Sequence, residues 1–552
     1  MRYRLTGLAL DPHVVEDPRQ LADALAGILG LVPSQVVDPV VVKHSLDARR
    51  RPARHIWSIE VEVADGSEVR PRPPRGANVK HLDDDDPSSA LRADPVLADA
   101  PPLASTPASF RPVVVGAGPA GLFAALALAR LGAPPLLLER GQPVEQRSRD
   151  VEAFWADGTL DAESNVLFGE GGAGIYSDGK IYTRSRNPEV ASVLQELVDL
   201  GVPSRILIEA RPHIGADRLK LLLVSLRQRL IDLGVEIRFG AQVAELLRDG
   251  DRVVGVVLAD GEEIRRGPVV LAAGQSARET FEMMLRAGVP MEAWSSAIGV
   301  RIEHPQSFID RAQYKVAHAR VRGLPPADYH LAWHGRRFRG SYTFCMCPGG
   351  RIIAASNLPG HIVTNGMALS DRGGPWANSA LVVQVRPEDY APYGAIGDPL
   401  LGFRFQDAFE QQAAELGGGG FKAPAQWVDD FLDGRRSERP VESSYQPGTT
   451  PSDLRLCLPD AVSAALGEAL MAFGRRLRGF DGPEGRLVGV ETRTSSPVRI
   501  PRDDECRAWG IEGFYPVGEG AGYAGGIVSA AVDGLRAAEW VVKHASIRVA
   551  RD

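Results

Sequence analysis

The chain has 552 residues, 44% of them hydrophobic and 24% charged; this is the composition of an ordinary globular protein of two to four domains, not of a disordered chain. Its net charge of −7 leaves no overall electrostatic footprint for nucleic acid, and no apolar run approaches the ~20 residues of a membrane span. Four cysteines, Cys345, Cys347, Cys457 and Cys506, are too few for a disulfide framework.

The first six residues show no signal-peptide pattern, so a cytoplasmic address is expected, without nucleic-acid or membrane partners. Residues 1–66 read as a small α/β unit. A strand-like start over 3–10 meets a helix over 18–31, with Leu21, Leu25 and Ile28 on one face. Alternating runs over 36–44 and 55–63 suggest a hairpin packed on that helix. Its tip carries Arg49 to Arg54, a solvated turn or a contact for an acidic partner or RNA. Residues 67–109, rich in Pro, Asp, Ala and Ser, read as a linker.

From Arg111 onward, strand-like and helical segments alternate, which argues for an α/β fold. The apolar run 112–115 leads into Gly116-Ala117-Gly118-Pro119-Ala120-Gly121, and a helix follows over 122–131. Gly116 permits the tight turn, Gly118 lets backbone approach a pyrophosphate, and Gly121 lets helix and strand pack closely. The phosphates then sit at a helix N-terminus, where free N–H groups favour negative charge. The next strand, 135–138, ends in Glu139-Arg140-Gly141. Glu139 can accept hydrogen bonds from ribose hydroxyls and would repel a 2′-phosphate.

This fingerprint does not separate FAD from NAD; the C-terminal end does. A strand over 513–517 precedes Gly518-Glu519-Gly520-Ala521-Gly522-Tyr523-Ala524-Gly525-Gly526-Ile527 and a helix over 528–542. It resembles the second flavin motif of two-part FAD proteins, with Glu519 where Asp is usual. A helix starting near Gly526 would aim N–H groups at a reduced flavin. Between the two motifs, 241–243 resembles an adenine-side turn ending at Val243. The run 269–274 resembles the strand that returns to the nucleotide half, ending at Ala273 and Gly274.

Four further stretches carry a wider resemblance: 169–180 (Gly-Glu-Gly-Gly-Ala-Gly-Ile-Tyr-Ser-Asp-Gly-Lys), 271–278, 344–350 and 491–499. The chain resembles the FAD-dependent dehydrogenases of bacteria and plastids, NAD(P)/FAD-dependent oxidoreductases with an N-terminal ferredoxin-like domain. Gln275 departs from the His expected there. The resemblance implies a glutathione-reductase-type, FAD-binding Rossmann domain with an inserted β-rich substrate domain. Expected limits are a ferredoxin-like domain at 1–66, a linker at 67–109, FAD-binding parts at 110–275 and 491–552, and a substrate domain at 276–490.

Flavin supplies the redox chemistry and the protein positions it. The glycines of 169–180, Gly171 and Gly172 among them, allow close approach to the ring, and Lys180 can sit near the flavin or bind an anionic substrate. Cys345 and Cys347, two apart on a strand, point the same way and form a redox pair or shape the pocket. Arg301, Glu303 and His304 near a strand end are candidates for substrate binding or proton transfer, or charges on a surface strand. Arg493, Ser495, Ser496 and His213 complete the set; no metal site is expected. The reading is hydride transfer between a small organic substrate and flavin N5, reset by an external electron donor or acceptor. NAD(P)H would bind transiently, since no second complete fingerprint exists. A flavin monooxygenase and a flavin-binding sensor with a partner-recognising N-terminal domain are the alternatives.

Overall fold

The structure is a computed structural model of the chain. It describes residues 1–48, 53–83, 110–183, 187–315, 324–335, 339–395 and 397–549. The tip arginines Arg49 to Arg51, and 84–109 of the expected linker, lie outside the described residues. Two compact units form: Met1–Pro95 with Arg186–His213, and Val96–Ser185 with Ile214–Asp552.

In the first unit, the helix Pro18–Leu29 follows Asp17, whose carboxylate accepts from the Arg19 and Gln20 backbone N–H groups at 2.9 and 3.2 Å. Such a cap stabilises a helix by about 1 kcal/mol. Leu21, Leu25 and Leu29 share one face and join Leu5, Leu8, Trp57, Ile59, Val61 and Val63 in one core. The sheet is wholly antiparallel: Arg2–Ala9 lies between Arg54–Val63 and Asn78–Leu82, and Val36–Asp47 pairs the outer edge of Arg54–Val63. That is the ferredoxin-like strand order, although 64–77 supplies no helix between its strands. Asn78–Leu82 corrects the linker reading. Asn-Val-Lys-His-Leu lacks a clean alternation, yet it pairs antiparallel along the edge of Arg2–Ala9 and buries Leu82. Residues 187–213 join this unit through backbone bonds from His44 to Ile208 and from Ala210 to His44.

In the second unit, five strands form a parallel sheet in the order Phe514–Pro516, Val269–Leu271, Val113–Val115, Leu136–Leu138, Glu236–Arg238. The Val-Val-Val, Leu-Leu-Leu and Val-Val-Leu strands are buried along their whole length, as central parallel strands must be. Helix Pro119–Arg130 leaves the first glycine turn, and helix Ile527–Val549 crosses it closely enough that a Cβ on Gly534 would overlap the Ala120 carbonyl. A three-stranded meander, Val243–Asp249, Arg252–Leu258 and Glu263–Ile264, flanks this half.

The β-rich part is an eight-stranded, mainly antiparallel sheet with Ser296–Pro305, Ser341–Ala354, Trp376–Val385 and Arg486–Glu491 at its centre. Ser296–Pro305 is no surface strand. Nine of its ten positions are buried, because sheet partners flank both edges. The fold is therefore α/β, a Rossmann-type nucleotide sheet carrying an inserted β-rich domain. No helix among the described residues is long and apolar enough to cross a membrane.

Candidate functional site

The first glycine turn is shaped by contacts that forbid side chains. Gly116 has φ +101°, and a Cβ on Gly121 would overlap the Gly116 carbonyl. Gly118 is different. The nearest atom to its Cβ position is the Gly172 Cα at 3.9 Å, so its open side leaves room for backbone to meet a ligand. Beyond it, helix Pro119–Arg130 presents its first N–H groups, which have no acceptors within the helix.

Glu139 ends the second strand and is buried. Its carboxylate accepts from the backbone N–H groups of Ala117 at 2.7 Å and of Gly141 and Gly169 at 2.9 Å. It thus ties the glycine turn to loop 169–180, a role its spacing alone did not reveal. Arg140 is engaged elsewhere: it pairs with Glu163 at 2.8 Å and with Glu279, and its guanidinium lies 4.0 Å over Phe168. Ala241 donates to the Glu139 carbonyl at 2.9 Å, which brings Val243 to this edge.

The loop itself is held from below by Arg147, which no sequence signal had marked. Fully buried, its guanidinium donates to the carbonyls of Asn165, Val166, Gly169 and Glu170 at 2.6–3.1 Å. Gly171 donates to the Ala117 carbonyl at 2.7 Å, Gly172 lies against Gly118, and the Cβ position of Gly174 is 3.1 Å from Ile527. One loop therefore touches both glycine turns.

At the second turn, Gly518 donates to Asp533, and Arg502 holds Asp533 at 2.5 and 3.0 Å. A Cβ on Gly520 would overlap the Gly274 carbonyl, so this turn closes on Ala273–Gly274. Ser529 donates to the Gly525 carbonyl at 2.7 Å where helix Ile527–Val549 begins. Glu519 is half-buried and Gln275 Nε2 donates to it at 3.1 Å; burial pushes its carboxyl up to about 7. The residues fit an extended dinucleotide: an open Gly118, two helix N-termini, and glycine surfaces too close-packed for side chains.

The sequence-nominated catalytic residues fall into three places. Lys180, Arg301 and Cys345 come together. Lys180 Nζ donates to the Met346 carbonyl and pairs with Asp178 at 3.4 Å, and Asp178 also pairs with Arg372 at 2.9 Å. Burial pulls the Lys180 ammonium down, but Asp178 together with the neighbouring Cys347, Cys345 and Tyr182 outweighs it and holds it above its ordinary value. Arg301 is fully buried. It binds Glu491 at 3.0 Å, Asn378 Oδ1 at 2.7 Å and the Cys345 carbonyl at 3.0 Å.

Cys345 has φ +43° at a bulge in the pairing with Trp376–Val385, so the alternation that would aim both thiols together is broken. Burial pushes the Cys345 and Cys347 thiols up to about 11 and 12, away from reactive thiolates. All four cysteines are free.

Arg493 sits apart from that group, with Glu410 at 2.7 Å and Asn357 at 2.7 Å, and its carbonyl accepts from Gln275 at 2.8 Å. His304 sits with neither. Its Nε2 bonds the Phe480 carbonyl at 2.9 Å between the Phe308 and Phe480 rings, and burial drives it down to about 4. Glu303 accepts from Ser444, and Ser496 closes a local bond to the Val498 carbonyl. Thr494, one residue before Ser495, donates to the Ala297 carbonyl. His213 belongs to the first unit. His361, Asp407 and Glu410 approach within 4.8 Å of one another, but Arg493 and Arg278 already neutralise the two carboxylates.

Residues 111–172 match the family described as FAD binding domain, 213–344 match FAD dependent oxidoreductase, and 295–494 match FAD-dependent protein, C-terminal domain-like. A Clostridium beijerinckii protein described as an uncharacterized protein is 45% identical over 436 residues, 78% of this chain and 81% of that one. Among solved structures, an Escherichia coli quinol fumarate reductase variant shares 15% identity at a TM-score of 0.37, covering 80% of this chain and 71% of that one. A flavin-dependent brominase variant shares 13% at 0.36, covering 79% and 81%. The chain belongs to the FAD-dependent oxidoreductases, in one family with the Clostridium beijerinckii protein, and its cofactor is FAD.

Proposed function

We propose that this oxidoreductase is a dehydrogenase or reductase that passes hydride between a small organic substrate and its FAD. The observation that carries the reading is loop 169–180. Its glycines lie against both cofactor turns, and its last residue, Lys180, ends on the Met346 carbonyl of the β-rich sheet. Cofactor cradle and β-rich domain thus meet along one segment.

FAD, when bound, supplies two-electron chemistry. The chain's own residues do the rest. The turn Gly116 to Gly121 with the helix at Pro119 holds the pyrophosphate, Glu139 takes the ribose, and Arg140 fixes that corner through Glu163. Val243, Ala273 and Gly274 line the adenine and nucleotide side. Gly518, Glu519, Gly525, Gly526 and Ile527 hold the flavin side. Lys180 spends two of its three N–H groups on Asp178 and Met346, and the third is available to an anionic substrate. Arg301 and Arg493 are positioning residues, bound to Glu491 and Glu410. An external donor or acceptor, NAD(P)H among the candidates, resets the cofactor, and the cytoplasm is the proposed address.

The test is anaerobic reduction of the purified yellow protein. An organic donor or NAD(P)H should bleach the flavin absorbance without a second substrate, and an organic acceptor should restore it. K180M should raise the KM for an anionic substrate and leave flavin content unchanged. Bleaching by NAD(P)H that requires substrate, followed by entry of labelled oxygen into the product once oxygen is admitted, would establish a monooxygenase instead. A flavin that no donor reduces would favour a sensor.

A further inference from the structure

Glu519 has an unusual setting for a carboxylate beside an anionic cofactor. It follows Gly518, whose Cβ position lies 3.1 Å from the Ala120 side chain, so the chain entering Glu519 runs beside the first glycine turn. The nearest atom to a Cβ on Gly525 is Glu519 Oε1 itself, at 3.9 Å, so open space adjoins the carboxyl. Among the described residues no cation pairs with it. The charged groups on the surrounding segments are all directed elsewhere. Arg493 is on Glu410, Arg278 on Gln406 and Asp407, and Arg502 on Asp533. Arg499 lies over the Trp294 and Tyr523 rings.

Among the described residues, the polar side chain that reaches Glu519 is the neutral amide of Gln275. Its Nε2 donates at once to Glu519 Oε1 at 3.1 Å and to the Arg493 carbonyl at 2.8 Å. That second bond anchors the amide to the segment that carries the buried Arg493–Glu410 pair, so the carboxyl is held in place without being neutralised. A dianionic pyrophosphate brought into this cradle then meets a carboxylate with no counter-charge, in a setting of low dielectric.

We propose that Glu519 takes up a proton when FAD binds, and that Gln275 is the positioning residue that holds it for that exchange. The inference rests on FAD occupying this cradle. Protonated, Glu519 donates a hydrogen bond to the cofactor instead of repelling it. Without FAD, burial already places the carboxyl near neutrality, so a nearby anion shifts it well into the protonated state. By linkage, FAD affinity is flat below about pH 7 and falls by up to tenfold per pH unit above it.

The experiment is calorimetric titration of the full-length apoprotein with FAD, in two buffers of different ionisation heat. At pH 8 the wild type should take up between about half and one proton, and at pH 6 close to none. E519Q, which imitates the protonated carboxyl, should bind FAD at both pH values with no uptake. Q275A removes the bond that favours the carboxylate, so its affinity should begin to fall at higher pH than in the wild type. FAD binding to the wild type at pH 8 without proton uptake overturns the proposal, as does an E519Q that still takes up the proton. The wild-type titration stands alone if E519Q fails to fold. An apoprotein that binds no FAD at any pH would overturn the functional reading instead.

Discussion

Replacing Glu410 by glutamine tests a buried ion pair of the β-rich half. The Glu410 carboxylate accepts from Arg493 Nε at 2.9 Å, Arg493 Nη2 at 2.7 Å and Thr492 Oγ1 at 2.6 Å, and neither ion-pair side chain is more than 5% exposed. Burial alone would raise this carboxyl; the Arg493 and Arg278 guanidinia and the hydroxyl overcome it and hold it at about 2. A carboxyl that titrates at 4.5 when unfolded and about 2 when folded contributes about 3 kcal/mol at neutral pH. The folded value is the lower one, so this stability is complete above 4.5 and is lost as pH falls through about 2. E410Q also strands the Arg493 charge, and breaking a buried pair costs about 3–5 kcal/mol. Urea denaturation at pH 7, followed by tryptophan fluorescence, should show E410Q less stable by about 3 kcal/mol, and at pH 3 the deficit should shrink by more than half. The double variant E410Q/R493M should lose less than the two single losses combined. A deficit below about 1 kcal/mol at pH 7, or one that does not shrink in acid, would refute the reasoning.

Three other outcomes follow from the same geometry. G121V drives a side chain into the Gly116 carbonyl; it should purify with under about a tenth of the wild-type flavin absorbance, and a fully loaded variant would disprove the close-packing account. The thiols of Cys345 and Cys347, raised to about 11 and 12, should react with a disulfide reagent at pH 7.5 far more slowly in the native than in the unfolded protein. A fast-reacting native thiol would reopen the redox-pair reading. His304 stays neutral down to about 4, while an unfolded histidine protonates near 6.5, so the wild type should lose stability as pH falls between those values. H304Q should lose less over that interval, and an unchanged acid profile would count against its burial.

What was legible in the sequence follows range of interaction. The two glycine turns, the strands at Val113–Val115, Leu136–Leu138 and Val269–Leu271, and the helix at Pro18–Leu29 obey rules written over a few neighbouring residues. Asn78–Leu82 escaped notice because five residues beside a Pro- and Asp-rich stretch give too short a pattern, and its pairing partner, Arg2–Ala9, lies at the other end of the unit. The arginine of Ser296–Pro305 looked like surface charge because nothing local announced Glu491, which neutralises it across 190 residues of chain.

The same contrast separates cofactor from substrate. The features proposed to hold FAD are backbone, helix ends and the absence of side chains, and a single chain displays those in order along its length. The β-rich half is built from pairs whose members are far apart: Arg301 with Glu491, Arg493 with Glu410, Lys180 with the Met346 carbonyl. The role of each nominated residue depends on its partner. Arg301 and Arg493 are each committed to a buried carboxylate, which leaves them to hold shape, whereas Lys180 keeps a donor in reserve. On the proposed reading, substrate choice falls to the few polar groups the long-range pairs leave unused. On that reading Lys180, held by Asp178 and the Met346 carbonyl, is the nominated cation proposed to meet an anionic substrate.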